Sequence, residues 1–419
     1  MKRIFLLTLL SILIFKGYGQ DNIGTPYSVY GIGLQPENAG PYSAMGGVAA
    51  ALRHKNSINY LNPASYTALD SNRFYFQMGI TGEYSYLSTH KENSNYRVAQ
   101  NAAFNMAFRL YKSLFISVGF TEKSDIGYDL LYTNIIPGSS NSYFNQNIQG
   151  EGGLNDIYLG LGWKYKNLSI GLNTSYVFGK IEKRQTLSAM LENSYIIKTS
   201  ENNRIHDVLF MPGFQYTAKL SPKSTLNLGT SFNFTQKLGA KKEFISYKVN
   251  SGTGSSTMME DLVTNSGYMK YPFRILSGFS YSYKNQWEVA GDYTFQKMSA
   301  YEIFKDNQKL NDYHKGAIGL SWQPDELGRY WWQRNKYMMG GYFIQSGIEI
   351  KNTNINTYAL TFGAQIPFTP PRSGELLLGI AFDLGIRGTE KNGLIQEKFA
   401  KLRVNIAFKE FWFMKRKIN

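Results

Sequence analysis

The sequence contains no cysteine, which removes disulfides, thiolate metal sites and a cysteine nucleophile together. Charge is scarce. Only 18% of residues are Asp, Glu, Lys or Arg, against roughly 25% in ordinary globular chains. Histidine is scarcer still: His54, His90, His206 and His314 show no metal-ligand spacing, and no His-Glu-x-x-His occurs. There is no Gly-x-Ser-x-Gly elbow and no Walker loop. Gly31-Ile32-Gly33 and Gly150-Glu151-Gly152-Gly153 read as turns or strand starts rather than phosphate cradles. No catalytic residue, cofactor or metal site is therefore expected. Beyond the N-terminus no stretch approaches 18 consecutive apolar residues, so no transmembrane helix is expected.

What is plentiful points to strands. Aromatics make up 15% of the 419 residues, with 31 Tyr and 27 Phe, and there are 40 Gly. This suits many half-buried strands better than a helical bundle or a disordered chain. The formal charge is +15. Lys2, Arg3 and Lys16 lie in a leader, and without them 42 basic residues face 30 acidic ones, a balance of +12. These charges are scattered, densest in the tail Lys415-Arg416-Lys417, with no RNA-binding or helix-turn-helix signature. Nucleic acid is not an expected partner. Anionic headgroups of outer-membrane lipid and lipopolysaccharide are.

The leader has three parts. Met1-Lys2-Arg3 is basic, Ile4 to Phe15 is apolar, and Gly17-Tyr18-Gly19 offers a small-x-small cleavage site. Residues 1–19 read as a secretory signal peptide, too short to span a bilayer as an anchor. No cysteine follows, so a lipid anchor is not expected.

From about Asn72 onward, residues 71–419 read as strands of period two. Ile157, Leu159, Leu161 and Trp163 alternate with Tyr158, Gly160, Gly162 and Lys164. Leu376, Leu378, Ile380, Phe382, Leu384 and Ile386 alternate with Glu375, Gly379, Ala381, Asp383 and Arg387. Alternation alone does not separate a soluble sandwich from a membrane barrel. Two features do. Aromatic residues such as Tyr165, Tyr176, Tyr281, Tyr283, Trp287 and Phe411 mark strand ends, as in interfacial girdles. Connections also alternate: short at Lys112, Lys166, Pro222 and Asn285, long and polar at 130–149, 182–204 and 238–269. The expected fold is all-β, a transmembrane antiparallel barrel of about 14 strands in the outer membrane of a Gram-negative bacterium. An even count puts both termini on the periplasmic side. Counts of 12 or 16 remain open if one element is split or merged. The connection 323–335, holding Arg329, Trp331, Trp332 and Arg334, breaks the short-turn rule, as does the Pro-rich link at Pro370-Pro371.

A charge on the lipid face costs about 2–4 kcal/mol near the midplane. Alternation therefore turns Arg109, Arg274, Glu288, Asp292, Glu375, Asp383, Arg387, Arg403 and Lys409 inward. They form either a polar conduit or hatch-docking surface, or a static network of pairs filling the lumen.

Residues 20–70 do not fit the barrel pattern. Ser43 to Leu52, including Gly46 and Gly47, reads as a short small-residue helix, followed by a turn at Asn62-Pro63-Ala64. Gly46-Gly47-Val48-Ala49 followed by Asn62-Pro63-Ala64 resembles the N-terminal hatch of FadL-type outer-membrane proteins. That family has a signal peptide, a hatch and a 14-stranded barrel, and this sequence offers all three in order. The departure is Arg53-His54-Lys55, where members often carry an acidic residue. The resemblance implies passive uptake of hydrophobic small molecules through a hatch-gated barrel. It also suggests that the interruption Thr121-Glu122-Lys123-Ser124-Asp125 marks a lateral gate, the alternative being a strand that has already left the bilayer. FadL-like barrels of the PorV type imply another role, a non-catalytic accessory or scaffold subunit of an outer-membrane protein assembly or secretion machine. Trp331, Trp332, Arg329 and Arg334 would then form a periplasmic interface with other outer-membrane proteins.

Overall fold

The computed structural model describes residues 24–33, 40–135, 143–189, 194–305, 308–368 and 375–411. The leader, Pro370-Pro371 and the basic tail lie outside them. Fourteen antiparallel strands close on themselves. They are β1 (Arg73–Ser88), β2 (Asn93–Tyr111), β3 (Leu114–Ile135), β4 (Tyr143–Tyr165), β5 (Leu168–Ala189) and β6 (Tyr195–Ser221). β7 joins Ser224–Asn233 to Gln236–Asn250, β8 joins Ser256–Tyr271 to Arg274–Tyr283, and β9 joins Trp287–Gln296 to Glu302–Ile303. β10 (Tyr313–Trp322), β11 (Lys336–Ile350), β12 (Thr353–Pro367), β13 (Glu375–Gly388) and β14 (Gln396–Phe411) complete the wall. The break in β8 falls at Pro272, which has no N–H to give the ladder. All of β1 pairs with β14, from Arg73↔Phe411 to Ser88↔Gln396, so the first and last strands close the wall and leave no terminal edge.

The period-two pattern decides which face meets lipid. On β12, Tyr358, Leu360 and Phe362 are exposed outward, while Thr357, Ala359 and Thr361 are buried inward. β4 repeats this with Ile157, Leu159, Leu161 and Trp163 outside and Tyr158 inside. Among the described residues no helix is long and apolar enough to cross a membrane; the strands do so. Aromatic stacking at strand ends, Trp163 on Tyr165 and Trp287 on Trp322, belongs to the tight-turn rim.

Three connections differ from expectation. The stretches 130–149, 182–204 and 238–269 are not long loops. Their described residues are mostly strand and continue β3–β8 well past the barrel. Strands β3 to β6 run 22, 23, 22 and 27 residues, whereas β10 has 10. About 9–11 residues suffice to cross the bilayer. Beyond it both faces meet water, the apolar alternation fades, and the sequence signal for a strand fades with it.

The lumen is filled. Residues 40–69 occupy the half nearest the tight turns, and 24–33 the half nearest the tall hairpins. Pro63–Ala68 forms a 3-10 helix capped by Asn62. The expected helix over Ser43–Leu52 is instead a chain of turns, closed by bonds such as Met45 N–H to Tyr42 O (2.9 Å). Gly46 and Gly47 have φ of +70° and +72°, a conformation that no right-handed helix accommodates.

Candidate functional site

Polar side chains of the inner wall and of the hatch itself hold the hatch in place. Asn62, fully buried, donates from Nδ2 to Ala50 O (2.7 Å), Phe214 O (3.3 Å) and Thr230 O (3.3 Å), while its Oδ1 accepts from Ala64 N–H (3.2 Å). One amide thus ties the Asn62-Pro63-Ala64 turn to β6 and β7. Asp292 on β9 accepts the amides of Ala49 (2.5 Å) and Ala50 (2.9 Å). Thr361 on β12 accepts from Gly46 N–H (2.8 Å) and donates to Ala44 O (2.7 Å). Gln77 on β1 exchanges both bonds with Ile58, and Gln215 on β6 donates to Ala50 O (2.9 Å). Buried backbone groups of an irregular segment need partners, and the wall supplies them at fixed positions. Glycine makes room for this approach: a Cβ at Gly229 would stand 2.0 Å from Ala50 O.

The nine inward charges separate into groups. Arg403 pairs with Asp383 (2.6 Å) in the middle of the wall, both fully buried. Lys409 meets Glu375 (2.5 Å) near the tight turns. Toward the hairpins, Arg387 sits 2.6 Å from Glu397 and 3.6 Å from Glu83, and Lys401 sits 3.2 Å from Glu83. Thr25 of the N-terminal segment donates to Glu397, so this network also holds the plug. Glu288 faces His54 Nε2 at 2.9 Å. Arg109 and Arg274 point inward at half-burial and make no ion pair among the described residues. Glu83, Glu397 and Lys401, absent from the nine, obey the same alternation. So do Gln77, Gln215, Thr361 and the other neutral anchors, which carry no charge to draw attention.

The opposite inner face is apolar. Ile32 packs with Leu154, Val177, Ile205, Leu238 and Met269, all buried. The lumen is therefore greasy on β3–β9 in its hairpin half only; nearer the tight turns the same strands turn polar residues inward, among them Ser169, Asn173, Gln215 and Glu288.

The interruption at Thr121–Asp125 lies between these faces. Lys123 is the extra residue of a β-bulge: Glu122 pairs with Asn155 and Ser124 with Leu154. The phase of β3 reverses there, so Thr121 points inward before it and Ser124, Ile126 and Tyr128 after it. Thr121 donates to Asp156, Lys123 approaches Asp156 at 3.1 Å, and Ser124 Oγ accepts from Leu154 N–H (3.2 Å). β2 and β3 part at this level. Their pairing ends at Phe104↔Phe120, while β3–β4 pairing runs on to Ile135↔Tyr143. The edge of β3 so exposed is taken up by the N-terminal segment, with Gly24 N–H donating to Gly127 O (2.9 Å). Backbone of Asp125 lies against Gly33, where a Cβ would come within 2.4 Å of its carbonyl.

At the tight-turn side, Trp331–Arg334 forms one helical turn in the connection between β10 and β11. Trp331 and Trp332 are exposed, as are Leu327 and Tyr330. Arg329 is exposed and Arg334 half-buried.

Solved structures similar to this chain include a FadL homologue and toluene transporters. A Pseudomonas aeruginosa FadL homologue superposes with a TM-score of 0.63 at 9% identity, covering 91% of this chain and 100% of its own. The Pseudomonas putida toluene transporter TodX gives 0.54 at 12%, covering 91% and 100%. The Ralstonia pickettii toluene transporter TbuX gives 0.55 at 12%, covering 89% and 98%. Identity this low conveys the fold. No curated protein matches the sequence. The resemblance to FadL-type proteins thus stands for the barrel, while the family itself is a different one. The BamG family model matches residues 1–419, and the chain belongs to the BamG family of outer-membrane β-barrels.

Proposed function

We propose that this protein is a plugged barrel with a non-catalytic role, an accessory or scaffold subunit of an outer-membrane protein assembly or secretion machine. The observation that supports it is the seat of the hatch. Gln77, Gln215, Asp292 and Thr361 bind its backbone from four different strands, and Asn62 of the hatch reaches β6 and β7 in return, so opening the lumen would strand several buried polar groups at once. A pore that opens in service needs a looser plug. On this reading residues 1–19 are a leader that is removed, residues 20–70 are the hatch, and both termini are periplasmic. The exposed Trp331-Trp332 turn, with Arg329 and Arg334, offers partners the aromatic and guanidinium anchors common in interfaces.

Passive uptake of hydrophobic small molecules is the second reading. It is supported by the apolar inner face around Leu154 and Met269 and by the parting of β2 from β3. Solved structures of this fold include hydrocarbon channels. One experiment separates the two. The protein is purified in mild detergent, examined by native mass spectrometry, and reconstituted in vesicles for a toluene-uptake assay. The scaffold role predicts stoichiometric outer-membrane protein partners, their loss in a W331A/W332A variant that keeps its barrel, and no uptake above empty vesicles. A monomeric barrel that retains a hydrophobic ligand and supports uptake would overturn it.

A further inference from the structure

The tight-turn mouth of the barrel holds a cavity of about 340 Å³, floored by Arg53–Asn56 of the hatch and walled by the adjacent ends of β8–β13. This is within the range of small-molecule sites. Its lining is ionic, and the ions do not balance locally. Three carboxylates line it: Glu326 pairs with Lys55 (3.0 Å) and Glu375 with Lys409 (2.5 Å), while Glu288 faces the uncharged ring of His54 (2.9 Å) and is the one negative charge left over. Three further cations line it as well: Arg53, Arg334 and Lys336. None of these pairs with a carboxylate among the described residues. Arg53 donates to the neutral oxygens of Gln215 (2.8 Å) and Thr67 (2.9 Å). Lys336 Nζ meets only the ring nitrogen Nδ1 of His54 (3.2 Å). Arg334 Nε is buried and has no hydrogen-bond partner.

An unpartnered buried guanidinium nitrogen is costly, and the fork of a guanidinium fits a planar or tetrahedral oxyanion through paired charge-assisted bonds. We propose that the mouth cavity binds a small oxyanion, a carboxylate or phosphate group, held between Arg334, Lys336 and Arg53. The basic Arg53-His54-Lys55 run of the hatch then has a use. The site is independent of whether the barrel supports partners or passes hydrocarbon.

The test is calorimetric titration of the detergent-solubilised protein with inorganic phosphate and, separately, with citrate. Saturable binding of at least one is expected, and the tighter of the two names the oxyanion class. An R334Q/K336Q variant should bind at least about tenfold more weakly, as loss of a charge-assisted bond implies. K91Q, on the far rim, should bind as wild type does. If the double variant lacks the heat-modifiable gel band of a folded barrel, R334Q alone is measured, since the buried Nε of Arg334 has no hydrogen bond to lose. No saturable binding of either anion by the wild type would overturn the site. So would unchanged affinity in the folded variant.

Discussion

His54 is fixed in one protonation state by its neighbours. The ammonium of Lys336 can only donate, so Nδ1 must accept, and the ring proton sits on Nε2 facing Glu288. Burial holds the imidazole below the ordinary histidine range, with Lys336 adding to that and Glu288 opposing it. In the unfolded chain the same ring titrates near about 6.5. Below that pH the unfolded state binds a proton that the folded state refuses, so stability present above it is lost as pH falls. Thermal midpoints taken from pH 7.5 downward should decline through this window. His54→Gln keeps a donor for Glu288 and an acceptor for Lys336 but cannot titrate, and should flatten that decline; an equal slope in the variant would remove His54 from the account. Asn62 permits a sharper comparison. Asn62→Ala deletes three donated bonds and the cap, at a cost of about 1–3 kcal/mol. Asn62→Asp keeps the cap acceptor but turns a carboxylate toward three carbonyl oxygens. It should lower the melting temperature further than alanine does.

Individual elements explain both what the sequence discloses and what it hides. The membrane strands are legible because lipid outside and packed lumen inside impose strict alternation, as in Tyr358 to Thr361 on β12. The upper hairpins are not, because water on both faces removes the contrast. Lys123 hides more, since one extra residue reverses the phase of β3 and buries Ile126 and Tyr128, which plain alternation from Thr121 would send outward. The hatch segment misleads in another way. Its small residues look helical, yet the reason for Gly46 lies in contacts more than 250 positions away. A Cβ there would come within 2.6 Å of Gly341 O and 2.9 Å of Ile318 O, while at Gly47 nothing lies nearer than Lys315 Nζ at 3.5 Å. Both glycines share the left-handed backbone. Gly47→Ala should therefore cost only the conformational term, about 1–2 kcal/mol. Gly46→Ala carries the collision as well and should loosen the hatch. Limited proteolysis within residues 40–69 should increase for Gly46→Ala and change little for Gly47→Ala. Equal protection of both would mean that the close approach to β11 does not hold the hatch.

The whole molecule is lopsided, and its stability need not be shared evenly. A ring of paired strands closes at membrane level, where β6 meets β7 over Gly213–Ser231 and β7 meets β8 over Ser224–Tyr283. Above it, β3–β8 continue as an upper extension of the same sheet, with β7 and β8 paired from Lys242↔Thr264 to Val249↔Ser256. Few of these upper residues are buried on either face, and Met258, Met259, Leu262 and Val263 are all exposed. The ring owes its persistence to backbone bonds that have no alternative in lipid. The upper extension has water as an alternative partner, so it is the less costly part to lose. Replacing residues 243–263 with a two-residue turn should then leave a closed barrel. It would keep its heat-modifiable mobility, and its hatch would stay protected from protease, because the hydrogen bonds of Asn62, Asp292 and Thr361 all lie on the membrane ring or below it. The flank of β6 at Tyr195–Asn202 would be left unpaired, and association of the variant through that edge is the expected side effect. Collapse of the barrel itself would show that the upper extension and the ring form one cooperative unit, and that the tall hairpins brace the wall beside the place where β2 and β3 part.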